Sequence, residues 1–198
     1  SFPTRRSSDL LRHFGGSVER TEGSLLVRLA GSMRPVNHWL DYASVTTTEN
    51  FVLCAVAAAG TSTLTNAASE PHVQEFCRFM AMMGGRIEGI GTSKLTVHGG
   101  APLTGGEFRF DEDFHEITTF LALGAITGGE LQVRNSAPGQ FPLIDRTFAK
   151  FGVQIVHRDG WSEARRSGPL KVQVPFTANV LTKVEAAPWP YFPVDLLP

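Results

Sequence analysis

Three carboxylates stand apart from ordinary surface charge. Glu70 closes the phrase LTNAASEP (64–71), immediately before a proline. Asp195 ends APWPYFPVD (187–195), where prolines stiffen the backbone and can hold one carboxylate in place. Asp113 precedes Glu116 by three residues. A carboxylate held accurately, as the prolines can hold Asp195, is suited to act as a general base. The competing role for all three is capping, because acidic side chains satisfy and complement the free N–H groups of a helix start. The Asp113/Glu116 spacing has the form of a capping box, so Asp113 leans furthest towards that role.

An internal comparison separates Glu70 from the others. Sliding residues 44–66 forward by about 69 positions sets Ser44 on Asp113, Phe51 on Phe120, Gly60 on Gly129 and Asn66 on Asn135. The matching second phrase, VRNSAPG (133–139), carries Gly139 where the first carries Glu70. A residue needed by the repeated scaffold belongs in both copies, so Glu70 points to a task outside folding. Thr46 and Glu49 also have capping-box spacing, and a helix start with unpaired N–H groups is a natural place for phosphate.

Other chemistries are excluded or weakened. The six histidines share no ligand spacing and pair with no cysteine motif, so no metal site is expected. No nucleophile elbow, P-loop or dinucleotide-binding glycine motif occurs. Cys54 and Cys77 lie inside apolar runs and read as core residues in a reduced, cytoplasmic setting. A net charge of -1 leaves no footprint for nucleic acid, and the longest apolar run, 51–59, is too short to cross a membrane.

The elements that must position these groups repeat. FCRFMAMMGGRIEGIGTSKLTVHG (76–99) reads as helix, glycine stop and hairpin. LRHFGGSVERTEGSLLVRLAG (11–31) and FAKFGVQIVHRDGWSEARRSG (148–168) repeat the phrase. Joined to the other repeated half, each unit reads as strand, helix, strand, helix, hairpin, a small α/β layer with its own core. With 198 residues, 42% hydrophobic and 19% charged, the chain has the composition of a globular protein with room for two such layers. Residues 1–10, SFPTRRSSDL, resemble a translated sequencing adapter and are set aside from the fold. The end at FPVDLLP, where a further helix is expected, suggests a fragment of a longer protein.

SVTTTEN (44–50), NAASEP (66–71), the GGRIEGIGTSKLTVHG hairpin (84–99) and APWPYFPVD together resemble the enolpyruvyl transferases, in their UDP-sugar rather than shikimate branch. The resemblance covers 11–198. It implies an inside-out α/β barrel of β-α-β-α-β-β units in two domains, with 11–110 in the first and 111–198 in the second. It implies transfer of the enolpyruvyl group of phosphoenolpyruvate to the 3-hydroxyl of UDP-N-acetylglucosamine, with phosphate released and no cofactor. By the same resemblance Asp195 is the general base, Glu70 and Asp113 are active-site carboxylates, and Glu116 lies beside the substrate. Tyr42, Ala43, Ser44, Val45 and Thr46 form the loop that holds the nucleotide. The family's catalytic cysteine lies outside this sequence, and neither Cys54 nor Cys77 matches it.

Three departures bear on the acceptor. Tyr42, Ser69 and Phe114 stand where the resemblance places cations, and Thr46 replaces a glycine. One charge-assisted contact to phosphate contributes about 1.5–3 kcal/mol, so each loss could weaken a UDP-sugar about tenfold or more.

Overall fold

A computed structural model of the protein describes residues 5–173 and 183–196. The chain divides into two units, Ser1–Phe108 and Arg109–Pro198.

Unit 1 opens with helix α1 (Arg5–His13), followed by the hairpin β1 (Gly16–Thr21) and β2 (Ser24–Leu29). Most of this helix falls within the segment set aside on sequence grounds. The reason it joins the fold is apolar: Leu10 is 1% exposed, and Phe14 just past the helix packs edge-on against Phe51, with ring centroids 5.4 Å apart. Buried aromatic pairs of this kind add about 0.5–1.5 kcal/mol beyond their area burial.

The rest of unit 1 has the expected order of strand, helix, strand, helix, hairpin. Its elements are β3 (Asn37–Trp39), α2 (Val45–Ala57), β4 (Gly60–Thr65), α3 (Pro71–Met82), β5 (Arg86–Glu88) and β6 (Lys94–Gly99). The four strands make one sheet in the order β3-β4-β6-β5, with β3 parallel to β4 and the other pairs antiparallel. Phe51, Val52, Val73, Cys77 and Met80 from the helices meet Leu64, Leu95 and Val97 from the sheet in one core. Phe51→Ala would cost about 3–5 kcal/mol from lost burial and the cavity left behind. At Gly99 any Cβ would fall onto the carbonyl oxygens of Ala55 and Ala58, so only glycine lets β6 run this close to the end of α2.

Unit 2 carries α4 (Phe114–Thr127), β7 (Gln132–Arg134), α5 (Pro142–Ala149), β8 (Val153–Arg158) and β9 (Trp161–Arg166). Phe114, Ile117, Leu121, Phe141, Ile144 and Phe192 form its core. The starts of α2 at Val45 and α4 at Phe114 keep the offset that aligns Ser44 with Asp113. The strand expected to open this second repeat does not form. Residues 100–113 are irregular, and side-chain bonds from Ser136 to Asp111 and Glu112 take the place of a ladder. Among the described residues the sheet is therefore three-stranded and antiparallel, in the order β7-β9-β8. Among the described residues all three sheets are open and no barrel closes, because single units leave strand edges unpaired.

Candidate functional site

Two groups of candidate residues emerge, one in each unit. In unit 1 the start of α2 and the loop before α3 lie together beyond the C-terminal ends of β3 and β4, the usual side for ligands in open α/β sheets. The cap of α2 is Ser44. Its Oγ accepts from the backbone N–H of Thr47 at 3.4 Å and from the Thr47 hydroxyl at 3.0 Å. The sequence expectation of a Thr46/Glu49 capping box is thus displaced by two residues. The extended backbone at Ser44 (φ -97°, ψ 122°) lets its side chain fold over the first turn, while Thr46 already lies inside the helix and is exposed.

Thr48 then joins the two loops. Its hydroxyl donates to Ser44 O at 2.8 Å and accepts from Ala68 N at 3.0 Å. Asn66, in the left-handed region at φ 60°, donates its side-chain N–H to Leu40 O at 2.8 Å. These bonds bring the 42–46 loop and Glu70 to one end of the sheet. Tyr42 is half exposed, and Ala43, Ser44 and Val45 are partly buried.

Glu70 occupies the N-cap position of α3, with Pro71 at the first helical position, yet its side chain makes no capping bond. Its Oε2 is buried and has no hydrogen-bond partner. Unpaired buried carboxylate oxygens are costly, and they recur at sites that receive a donor from a ligand or water. Sequence reasoning did not single out Glu49 and His72 as neighbours of Glu70. Burial raises the Glu49 pKa, the positive potential of His72 opposes that rise, and the Glu70 charge adds to it. The available signal was that Glu49 is the one charged residue of α2.

An open cleft of about 670 Å³ lies beside Tyr42, lined among others by Arg12, His13, Arg34, His38 and Trp39. Burial, and then the neighbouring His13, hold His38 below the ordinary histidine value, while Asp41 opposes them.

In unit 2 Asp113 caps α4, its Oδ1 accepting from His115 N at 2.7 Å and Glu116 N at 3.4 Å. Glu116 is exposed in the first turn. Asp195 is exposed in a short 3-10 turn, Val194–Leu196, that packs against α4. Trp189 sits edge-on to Phe114 at 5.7 Å, which anchors the proline-rich segment to the start of the same helix. Asp113, Glu116 and Asp195 are thereby carried on one packed assembly.

Cys54 and Cys77 are both buried. Burial pushes both thiols up, Cys77 to about 11 with the Glu49 charge adding to the effect and Arg78 opposing it. Among the described residues no group of three or more His, Cys, Asp or Glu side chains could hold a metal ion, and no helix is long and apolar enough to cross a membrane.

Two units of helices on open sheets describe an α/β protein. The chain belongs to the EPSP synthase (3-phosphoshikimate 1-carboxyvinyltransferase) family, which matches residues 2–198. Curated relatives include UDP-N-acetylglucosamine 1-carboxyvinyltransferases from Treponema denticola (39% identical) and Bradyrhizobium diazoefficiens (37%), each match covering 94% of this chain and 43% of the relative. The Borreliella burgdorferi enzyme of the same name is 36% identical over 92% of this chain and 42% of its own length. The chain thus spans well under half the length of these relatives. The enolpyruvyl transferase NikO from Streptomyces tendae has the same fold, with a TM-score of 0.75 at 18% identity over 86% of this chain and 44% of that one. EPSP synthase from Acinetobacter baumannii gives 0.60 at 18% identity, over 82% and 38%.

Proposed function

We propose that the protein containing this chain transfers the enolpyruvyl group of phosphoenolpyruvate to the 3-hydroxyl of UDP-N-acetylglucosamine and releases phosphate. This would be the first committed step of peptidoglycan precursor synthesis, carried out in the cytoplasm without a cofactor. The observation that carries the reading is the one activity named for relatives from distinct bacterial genera at 36–39% identity over most of the chain. Glu70 supports it from the structure, because a buried carboxylate oxygen without a partner suits a ligand better than a cap.

In this reading Asp195 is the general base that takes the proton of the acceptor hydroxyl. Glu70 and Asp113 stand around the reacting centre, Glu116 lies beside the substrate, and residues 42–46 hold the nucleotide. The two units are parts of two domains, 11–110 and 111–198, each an inside-out barrel completed by further β-α-β-α-β-β units. A second reading, a nucleotide-sugar transferase with a different acceptor or a non-catalytic nucleotide binder, is favoured by Tyr42, Ser69 and Phe114 in place of cations.

The test uses the full-length gene product. Phosphate release from phosphoenolpyruvate should require UDP-N-acetylglucosamine, and Asp195→Asn should lower turnover roughly 100-fold or more without lowering Tm. Release with another UDP-sugar alone would favour the different acceptor. Nucleotide binding without release would favour the non-catalytic reading.

A further inference from the structure

Four side chains of unit 2, all outside the candidate site, form a continuous hydrogen-bonded chain. Asn135 Nδ2 donates to Ser162 Oγ at 2.8 Å. His157 Nδ1 lies 2.7 Å from the same Oγ, and its Nε2 lies 3.2 and 3.3 Å from the two oxygens of Asp145. Asn135 Oδ1 accepts from Ala137 N at 3.0 Å. The amide of Asn135 occupies one lone pair of Ser162 Oγ, which leaves the hydroxyl hydrogen and a second lone pair for His157 Nδ1. The other ring nitrogen, Nε2, faces the Asp145 carboxyl, a group that can accept its N–H.

The order Ser, His, Asp resembles that of an acyl-transfer triad, but its chemistry is excluded here. Ser162 is fully buried on the central strand β9, with His157 as its cross-strand partner in β8, and no substrate carbonyl can reach its oxygen. A polar chain in such a place acts through geometry. Burial raises the Asp145 pKa and the His157 contacts oppose that rise, so this carboxylate is held at some cost to the fold.

What the chain holds is the turn at 135–137, and that turn holds the entry to α4. Ser136 N donates to Glu112 Oε2 at 2.8 Å. Ser136 Oγ lies 2.8 Å from Asp111 Oδ1 and 2.6 Å from Glu112 Oε2, its single proton serving one at a time. These bonds are the main reason the Glu112 carboxyl lies below its ordinary value, and Arg134 Nε adds an ion pair at 3.5 Å. Asp113 is the next residue.

We propose that Asp145, His157, Ser162 and Asn135 are positioning residues. They fix the 135–137 turn, and Ser136 passes that placement to the acidic segment 111–113, so that Asp113 stands where the site needs it. The consequence for catalysis rests on the reading of Asp113 as a site residue; the ordering of the turn does not.

Hydrogen exchange on the 198-residue chain tests the ordering. Ser162→Ala and Asp145→Leu should each speed exchange of the Ser136 and Ala137 amides about tenfold or more, with the Gln154 and Arg165 amides of the β8–β9 ladder unchanged. Asp145→Asn keeps an acceptor for Nε2–H and should restore protection. Unchanged Ser136 and Ala137 exchange in folded Ser162→Ala would overturn the proposal, as would equal damage from Asn and Leu at 145. If the buried variants do not fold, Ser136→Ala decides the point. It should release the His115 and Glu116 amides that Asp113 caps, and their unchanged protection would overturn the coupling. In the full-length protein Ser136→Ala should lower kcat about tenfold with KM little changed. A wild-type protein without turnover would count against the proposed function alone, because the exchange results stand independently.

Discussion

The Thr48 hydroxyl accepts a hydrogen bond from Ala68 N at 3.0 Å while donating to Ser44 O at 2.8 Å. One fully buried oxygen thereby joins the helix start to the loop that carries Glu70. Thr48→Val keeps the volume and removes both bonds, leaving a buried N–H unpaired. The expected loss is about 1–3 kcal/mol in urea unfolding. Thr48→Ser keeps the oxygen and should lose clearly less. Equal losses would mean that packing of the methyl group, rather than the hydroxyl, holds this junction.

Glu49 gives a pH-dependent signature. Its folded-state pKa lies above the unfolded value, chiefly through burial, with His72 opposing and Glu70 reinforcing the shift. Its contribution to stability is therefore complete below about pH 4.3 and is lost as pH rises through the folded value. Glu49→Gln does not titrate. The Tm of the variant relative to wild type should rise between pH 4 and pH 7, as thermal scans across that range would show. A difference that stayed flat or fell would remove the electrostatic role assigned to Glu49.

The internal repeat made the unit 1 layer legible, because glycine stops and apolar spacing act locally and report element order. The Asp113 cap was equally legible, since a cap depends only on residues within one turn. The Ser44 cap was displaced because two hydroxyl residues within one turn compete, and backbone angles decide between them. The opening strand of the second repeat failed for a non-local reason, since a strand exists only where an edge pairs with it. Leu10 ends a segment whose sequence resembles an adapter, yet its apolar side chain enters the core, because burial depends on chemistry and not on origin. The neighbourhood of Glu49, His72 and Glu70 spans separate elements, and spacing along the chain carries no direct record of it.

Asp113 has a role in the fold that can be separated from a role in chemistry. Asparagine retains an oxygen for the His115 and Glu116 amides, so Asp113→Asn should match wild type in stability. Asp113→Ala should lose about 1 kcal/mol. If the carboxylate also serves the reaction, the asparagine variant of the full-length protein should lose turnover despite its intact cap. Paired unfolding and phosphate-release measurements resolve the two effects. Full activity in Asp113→Asn would leave capping as its whole role.

Cys77 tests whether the thiols of this chain are structural. With its pKa raised to about 11, it is about one part in a thousand thiolate at pH 8. Burial adds a second barrier, because an alkylating reagent must wait for the core around Val73, Cys77 and Met80 to open. Cys54 is also buried, and its thiol is raised by the same cause. Iodoacetamide at pH 8 should therefore leave both cysteines of the folded chain unmodified, while mass spectrometry in rising urea should show labelling that follows the unfolded fraction. Rapid labelling of either cysteine without urea would contradict the buried placement and reopen a chemical role for that thiol. Cys77→Ala should then separate the possibilities: a structural thiol leaves turnover of the full-length protein unchanged and lowers only its stability.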